Sequence, residues 1–430
     1  MNIFRSTLPV IFCLTAAISS STHAAKPSPF SDWNYMTSFG QSLSVGWTAK
    51  PVVTAAQPKG LNMFKSGVRS YENGNDRSAL VPLEEGTNGP RGETPVSGAA
   101  CRLFQLMKRQ NPGMNPQLQF ICSATGVGGA GIEALGKGSG AYNRIMDDLK
   151  AAKTLADMGK KSLSMPAFIW TQGETDHQNR KSGEWYREKM IRLIDDISED
   201  AKNITGQKND VICFGYQVGS HLAYYKQNPS DYPAIAIAQL KMALEKGSRY
   251  VMTTPMYHFD YSDGVHLTAP MSRLYGEYAG YVMKRVLVDG VDWKPVHPVS
   301  HKIGKTGNEW ATDITFYAPV PPMTFDTKTV DDPGNYGFSL VTEEGRPLPI
   351  KSVVLHGKNV VRLVTKEDPR KSSVRYGMTI AGHRPSGPAT GARGCLRDSQ
   401  GNTVKASILG KTYRMDNWCP FFDYPLSDQP

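Results

Sequence analysis

Outside its first residues the sequence has no long apolar run, and this argues against a membrane-spanning protein. The single apolar segment, residues 8–18, is too short to cross a bilayer. Arg5 precedes this segment, and Thr22 and Ala24 place small residues where signal peptidase requires them. We therefore expect a signal peptide over residues 1–24 and a mature protein that is secreted or periplasmic.

Concentrated charge and metal-ligand spacings are also missing. The net charge is +10, from 49 Lys and Arg against 39 Asp and Glu, but no run of five basic residues occurs. Nucleic acid is therefore a poor partner, and the excess is typical of a solubilising charge. It would also suit an anionic polysaccharide or a membrane surface. No Cys-x-x-Cys pair or Cys/His spacing suggests a zinc site.

Cysteine is scarce, with six residues in the chain, of which Cys13 falls in the predicted signal peptide. Cys395 and Cys419 bracket one loop of the C-terminal region. In an oxidising compartment we predict that they form a disulfide. The remaining three lie in apolar stretches and are either partly paired or buried free thiols: Cys101, Cys122 and Cys213.

The pattern of the chain changes near residue 290, which predicts two domains, residues 25–292 and 293–430. In the first, five short runs with strand character alternate with segments of helical period: residues 34–39, 118–123, 167–171, 211–217 and 250–254. This alternation predicts a three-layer α/β/α domain with a parallel sheet. In the second, proline-punctuated alternating stretches predict an all-β domain, a small sandwich. Residues 49–95 predict a long excursion that forms one wall of the cleft.

The first polar motif, Gly40-Gln41-Ser42, ends the first predicted strand. Active sites of parallel sheets lie at the carboxyl ends of the strands. A tight turn there would present the Ser42 hydroxyl to the cleft and direct its amide toward an oxyanion. Alone the motif is weak, because Gly-x-Ser after a strand usually just ends the strand.

Two further motifs follow the second and third predicted strands. The glycine-rich run at residues 126–131 would allow backbone amides to face a ligand, although a plain flexible turn fits equally well. In the block at residues 170–176, Gln172 beside Gly173 is placed to donate a hydrogen bond into the cleft. A polar loop that caps the next helix is the simpler interpretation of this block alone.

The last motif, Asp263 and His266, follows the fifth predicted strand. Three residues apart on one loop, the two side chains can meet, so Asp263 can orient the imidazole and set its tautomer. A single Asp-x-x-His is more often a surface turn. The four motifs nevertheless follow four strands of one sheet. This coincidence favours a serine hydrolase with Ser42 as nucleophile and Asp263 and His266 completing a triad.

With these motifs in place, the chain resembles the SGNH hydrolases, which have a flavodoxin-like fold, and among them the sialate O-acetylesterase-like carbohydrate esterases. The matching blocks are Gly40-Gln41-Ser42, Gly128-Gly129-Ala130, the Trp-x-Gln-Gly-Glu-x-Asp block of residues 170–176, and Asp263 with His266. The resemblance covers residues 33–287. It departs at Leu43-Ser44, where the family commonly has Asn-Met, and at Leu267, where Pro is common.

The resemblance implies a mechanism and a substrate class. An oxyanion would be held by the amide of Ser42, a backbone amide of Gly128 or Gly129, and the side chain of Gln172. Gln41 and Glu174 would support these groups. No metal or organic cofactor is required. The substrate would be an acylated carbohydrate, and the group removed a small acyl group such as acetyl.

Two other functions stay open at this point. A lipase or acyltransferase could use the same triad, but residues 49–95 are polar where a lipase would need an apolar lid. A noncatalytic glycan-binding or adhesion protein could keep the fold, but it would not need all three triad residues. The histidines near the motif loops are expected on the cleft wall or the surface: His177, His221 and His258.

Overall fold

The computed structural model describes residues 28–426, so the predicted signal peptide lies outside the described residues. Within them, no helix combines the length and apolar character needed to cross a membrane. The strands are β1 (Trp33–Gly40), β2 (Leu61–Phe64), β3 (Leu80–Pro82), β4 (Gln119–Ala124), β5 (Leu163–Thr171), β6 (Ile212–Gln217), β7 (Tyr250–Pro255), β8 (His297–Thr306), β9 (Glu309–Tyr317), β10 (Thr324–Phe325), β11 (Phe338–Thr342), β12 (Pro347–Leu348), β13 (Ile350–Leu355), β14 (Val360–Thr365), β15 (Ser372–Tyr376), β16 (Leu396–Arg397), β17 (Lys405–Ile408), β18 (Lys411–Arg414) and β19 (Phe422–Pro425).

The α-helices are α1 (Pro95–Gln110), α2 (Gly140–Met158), α3 (Glu174–Gln178), α4 (Gly183–Thr205), α5 (Ala234–Leu244) and α6 (Ala269–Met283). Short 3₁₀ turns lie at Ser42–Val45, Asn73–Asn75, Ile132–Leu135, His221–Tyr224, Asn335–Gly337 and Gln400–Asn402, and a π-helical turn lies at Lys284–Val288. Ser139 and Ser182 begin α2 and α4, because each hydroxyl accepts a hydrogen bond from an amide of the first turn.

The main sheet has the strand order β3-β2-β4-β1-β5-β6-β7. Its five central strands, β4, β1, β5, β6 and β7, are those predicted, and they run parallel. The predicted excursion over residues 49–95 differs from expectation, because it contributes β2, parallel to β4, and β3, antiparallel to β2. With four and three residues, these two strands are too short to show a period in the sequence.

Side chains of each central strand alternate between two apolar clusters on opposite faces of the sheet. In β1, Tyr35 and Phe39 belong to one cluster and Met36 to the other. Helices α2, α4 and α5 cover the first face, and α1 and α6 cover the second. The predicted three-layer α/β/α arrangement is therefore confirmed.

Helix α6, which follows the Asp263–His266 loop, packs on α1 at very short range. A Cβ at Gly276 would lie 2.3 Å from the Pro95 carbonyl oxygen, and one at Gly280 would lie 2.4 Å from that of Ala99. The two helices therefore meet backbone to backbone, which only glycine allows. This close packing fixes where the loop before α6 leaves the sheet.

The C-terminal region is all-β, as predicted. Two four-stranded antiparallel sheets have the orders β12-β11-β15-β19 and β13-β14-β9-β8. Their inner faces meet at Phe316 of β9, whose ring centroid lies 6.4 Å from that of Phe338 and 5.9 Å from that of Phe422. The predicted boundary at residues 292/293 stays a prediction. One apolar cluster contains residues from both sides of it, for example Met256 and Trp418.

All five cysteines of the described residues are buried free thiols, so the predicted Cys395–Cys419 disulfide is absent. The strand register explains why. Arg397 bridges Trp418, and the Cys419 amide donates to the Leu396 carbonyl, which places Cys419 opposite Leu396 rather than Cys395. Because neighbouring strand residues point to opposite faces, the two thiols lie in different apolar clusters.

Candidate active site

The turn that carries Ser42 depends on Gly40 at the end of β1. Gly40 has φ +141°, and a Cβ there would lie 2.2 Å from the Thr171 carbonyl oxygen of β5. The next amide, of Gln41, donates to that same oxygen at 2.9 Å. Ser42 then begins a 3₁₀ turn, which Ser44 closes by donating its hydroxyl to the Gln41 carbonyl at 2.6 Å. A strained, glycine-dependent turn thus presents Ser42 at the carboxyl edge of the sheet.

The structure brings Ser42, His266 and Asp263 together, although 221 residues separate Ser42 from Asp263 in the chain. Ser42 Oγ lies 2.7 Å from His266 Nε2, and His266 Nδ1 lies 2.7 Å from Asp263 Oδ2. With the Nδ1 proton donated to the carboxylate, Nε2 is left to accept the hydroxyl proton of Ser42. This chain of hydrogen bonds is the arrangement that activates a serine.

Asp263 is held by the loop that it belongs to. Its Oδ1 accepts the amides of His266 at 2.8 Å and Val265 at 3.0 Å, which leaves Oδ2 for the imidazole. Partial burial alone would raise the pKa of Asp263, but the hydrogen bonds from the His266 ring and from these amides lower the pKa below its ordinary value. The carboxylate is therefore charged at neutral pH.

The glycine-rich loop lies against the serine turn. A Cβ at Gly126 would lie 1.9 Å from Ser44 Oγ and 2.4 Å from the Gly40 carbonyl oxygen, to which the Val127 amide donates at 3.0 Å. A Cβ at Gly128 would lie 3.9 Å from Ser42 Cβ. Among residues 28–426, nothing accepts the amides of Ser42, Gly128 or Gly129. Gly128 therefore lies beside the serine with a free amide, and the oxyanion role of these amides stays a prediction.

Gln172 follows β5 and is fully buried. Its amide nitrogen donates to Asp176 Oδ2 at 2.5 Å and to the Ala130 carbonyl at 3.4 Å, while its Oε1 has no partner within the described residues. Both amino hydrogens are thus engaged. The expected oxyanion role of Gln172 stays a prediction, which requires the long bond to Ala130 to be exchanged for one to the substrate.

Asp176 joins the second and third motifs, a link that the sequence analysis missed. Besides the bond from Gln172, its Oδ2 accepts the amide of Ile132 at 2.9 Å, just beyond the glycine-rich loop. Burial raises the pKa of Asp176, although these hydrogen bonds oppose the shift. Its place as the last residue of the Trp-x-Gln-Gly-Glu-x-Asp block was the only available signal.

The two expected supporting residues, Gln41 and Glu174, connect the motifs to one another and to the sheet. The side-chain oxygen of Gln41 accepts the Thr175 amide at 3.2 Å, which joins the first motif to the third. Glu174 is buried and accepts the Tyr216 hydroxyl at 2.7 and 2.8 Å and the Ser220 hydroxyl at 3.2 Å. Burial raises the pKa of Glu174 against these bonds. Glu174 therefore ties the third motif to the end of β6.

One wall of the site follows the serine turn directly. The Trp47 amide donates to the Ser42 carbonyl at 3.1 Å, and the Trp47 ring centroid lies 6.3 Å from that of His266. The Arg91 guanidinium lies over the Trp47 ring at 5.8 Å. Thr48 Oγ1 lies 2.6 Å from Ser262 Oγ on the triad loop. Sequence reasoning did not single out Trp47 and Thr48, because no motif includes them, whereas Arg91 belongs to residues 49–95, which were expected to form one wall.

The expectation that His177, His221 and His258 lie on the cleft wall or the surface is wrong. Their exposed fractions are only 2%, 1% and 9%. Burial lowers their pKa values to about 4, about 3 and about 3, so all three are neutral at physiological pH. Within residues 28–426, no three His, Cys, Asp or Glu side chains are grouped to hold a metal ion.

Comparison with known proteins addresses the chemistry. Residues 98–282 match the family model described as carbohydrate esterase, sialic acid-specific acetylesterase. This span includes the glycine loop, the third motif, Asp263 and His266, whereas Ser42 lies before it. The chain contains a sialate O-acetylesterase-like carbohydrate esterase domain. The expected resemblance is confirmed, and the protein is a carboxylic ester hydrolase.

The chain is similar to several solved structures at low sequence identity, and the first of them shares its fold. A carbohydrate acetylesterase from Xanthomonas citri is 15% identical with a TM-score of 0.52, over 84% of this chain and 78% of that chain. A protein from Arabidopsis thaliana is 15% identical with a TM-score of 0.42, over 59% and 97% of the two chains. A carbohydrate acetylesterase from Sinorhizobium meliloti is 13% identical with a TM-score of 0.32, over 59% and 99%. No curated protein sequence matches the chain.

Proposed function

We propose that this protein is an exported serine esterase that removes acetyl or other small acyl groups from a carbohydrate through a Ser42–His266–Asp263 triad. The observation that carries the proposal is the continuous hydrogen-bond chain from Ser42 Oγ through the His266 ring to the Asp263 carboxylate. The family match of residues 98–282 supports the ester bond and the sugar as the substrate class.

In the acylation step, His266 Nε2 takes the proton from Ser42 as its oxygen attacks the ester carbonyl carbon. The tetrahedral oxyanion is held by the Ser42 amide, an amide of Gly128 or Gly129, and the Gln172 side chain. Collapse of this intermediate breaks the ester bond, and the protonated His266 returns its proton to the leaving sugar oxygen. Asp263 stabilises the imidazolium throughout.

In the deacylation step, water takes the place of the sugar. His266 removes a proton from this water, which attacks the acyl carbon, and the second tetrahedral intermediate releases the carboxylic acid and restores the Ser42 hydroxyl. Each step balances with ester and water alone, so no cofactor is invoked.

The test is hydrolysis of a small aryl acetate by wild type, Ser42→Ala and Ser44→Ala. Ser44 belongs to the same turn and closes it by donating its hydroxyl to the Gln41 carbonyl, so Ser44→Ala controls for disturbance of the turn. We expect near-complete loss in Ser42→Ala and only a partial loss in Ser44→Ala. Comparable activity in wild type and Ser42→Ala would exclude Ser42 as nucleophile.

Substrate and export need separate measurements. We expect acetate to be released from acetylated oligosaccharides, and acetyl esters to be cleaved faster than octanoyl esters; the reverse preference would favour a lipase. For export, the mass of the protein recovered from outside the cytoplasm should correspond to cleavage after Ala24. An intact N-terminus there would contradict the signal peptide.

A further inference from the structure

The C-terminal β region reaches the triad loop through residues 382–391, the docking loop. The Ser386 amide donates to the Gly264 carbonyl at 2.9 Å, and the Arg384 amide donates to the Leu222 carbonyl in the turn after β6 at 3.2 Å. The Gly382 amide donates to Asp231 Oδ1 at 2.8 Å. The docking loop therefore spans the loops after β6 and β7, at the sheet edge that carries the triad.

The docking loop packs so closely on the triad loop that residue 264 has no space for a side chain. Gly264 has φ +83°, and a Cβ there would lie 2.7 Å from Pro385 Cβ and 3.0 Å from Pro385 Cα. The two backbones thus touch at Gly264, the residue after Asp263. Because Asp263 Oδ1 accepts the amides of Val265 and His266, displacement of this turn would also displace the carboxylate.

The docking loop is itself held rigidly. Ser386 is buried, and a Cβ at Gly391 would lie 2.9 Å from Ser386 Cα, so the two ends of this turn are in contact. The buried Arg393 donates to the carbonyls of Gly391 and Asp331, each at 2.8 Å. The docking loop is therefore continuous with the core of the β region.

The β region is also hydrogen-bonded to the edge of the main sheet. Gln217, at the end of β6, accepts the Phe421 amide at 2.6 Å and donates to the Phe421 carbonyl at 2.9 Å. The Tyr257 hydroxyl donates to the Cys419 carbonyl at 2.7 Å. These buried bonds prevent the β region from moving independently of the strands that carry the site.

We propose that the C-terminal β region is a working part of the active site, in which Pro385 and Ser386 are positioning residues that hold Asp263 against His266 by docking on Gly264. This inference rests on the proposed triad. It assigns the region a role in the reaction itself, beyond any binding of glycan. Neither residue touches the reacting atoms; both act through Gly264.

The test compares Gly264→Ala with Gly410→Ala by circular dichroism, melting temperature and aryl acetate kinetics. Gly410 lies in the β17–β18 turn with φ +79° and nothing within 4 Å of a new Cβ, so it matches the backbone strain without the contact. We expect Gly264→Ala to lower kcat by about 10²-fold with KM unchanged, as for a misplacement of roughly 1 Å. Gly410→Ala should keep the wild-type kcat.

A double variant distinguishes misplacement of Asp263 from general damage to the fold. Pro385→Gly removes the colliding Cβ, so Gly264→Ala/Pro385→Gly should recover kcat to the level of Pro385→Gly alone. The proposal is overturned by a wild-type kcat in Gly264→Ala, or by a double variant whose loss of kcat is the product of the two single losses. If Gly264→Ala does not fold, Pro385→Gly at this exposed position decides: a lowered kcat supports the proposal, and an unchanged one overturns it. Activity retained in a parallel Ser42→Ala sample would instead refute the proposed function.

Discussion

Between pH 7 and pH 5 the buried, neutral His221 should lower the free energy of unfolding by about 2 kcal/mol, and we expect His221→Phe to lack this loss. Burial, with a smaller contribution from the neighbouring His177, lowers the pKa of His221 from 6.5 to about 3. Between these two values the unfolded chain binds a proton that the folded protein does not, so stability falls as the pH falls through 6.5. At pH 5 the difference is about 1.5 pH units, at about 1.4 kcal/mol per unit.

The assay is urea unfolding at both pH values, with the free energy of unfolding taken from each curve. Phenylalanine keeps a planar ring against Phe421, whose centroid lies 5.8 Å from that of His221. His356→Phe, at an exposed position, is the matched control and should retain the wild-type loss. An equal loss in wild type and His221→Phe would refute a buried neutral imidazole at this site.

Buried carboxyl groups with raised pKa values require the comparison to be made between variants. Burial and the neighbouring Glu93 raise the pKa of Glu85 to about 7, and burial raises that of Asp398 to about 6. Raised carboxyl pKa values favour the folded state as the pH falls, which is opposite in sign to the histidine effect. They are common to wild type and variant, so they cancel in the difference.

Four further predictions concern the site and the cysteines. Asp263→Asn should lower kcat by about 10⁴-fold on an aryl acetate, because an amide fails to hold the correct imidazole tautomer; a tenfold loss would contradict the triad. Gln172→Ala should lower kcat on the order of 10²-fold with little change in KM, the effect of one lost oxyanion donor. Gly126→Ala should lower kcat by at least about tenfold, since its methyl group would collide with the serine turn. Wild-type kinetics in this variant would show that the glycine-rich loop can move to accommodate the methyl group. After denaturation without reductant, Cys395 and Cys419 should both be alkylated, as mass spectrometry of the peptides would show. If both cysteines stay unalkylated, they form a disulfide.

The contacts of the C-terminal β region also indicate what this region does. Its contacts with Gln217, Tyr257 and Gly264 are all made at the carboxyl edge of the sheet, the edge of the proposed active site. A region attached only to bind glycan would need no hydrogen bond to the triad loop. Its position therefore favours a role in shaping the site.

The sequence alone was sufficient to predict the three-layer α/β/α arrangement and the order of the motifs along the sheet. The five parallel strands β1, β4, β5, β6 and β7 were visible because each is a short apolar run bounded by turn residues, and buried parallel strands must be apolar on both faces. Ser42, Asp263 and His266 were predicted as a triad because active sites of such sheets lie where the strands end. These inferences need only local pattern and one topological rule.

Tertiary structure decided what depends on register and contact across the chain. The sequence placed Cys395 and Cys419 on one loop, but pairing of Arg397 with Trp418 turned the two thiols to opposite faces. The strands β2 and β3 were too short to carry a period, and the burial of His221 depends on Phe421, about 200 residues away. The contact of Pro385 with Gly264 likewise joins two segments that no local pattern connects. Local chemistry thus specified which residues could react, and packing between distant segments determined how firmly they are held.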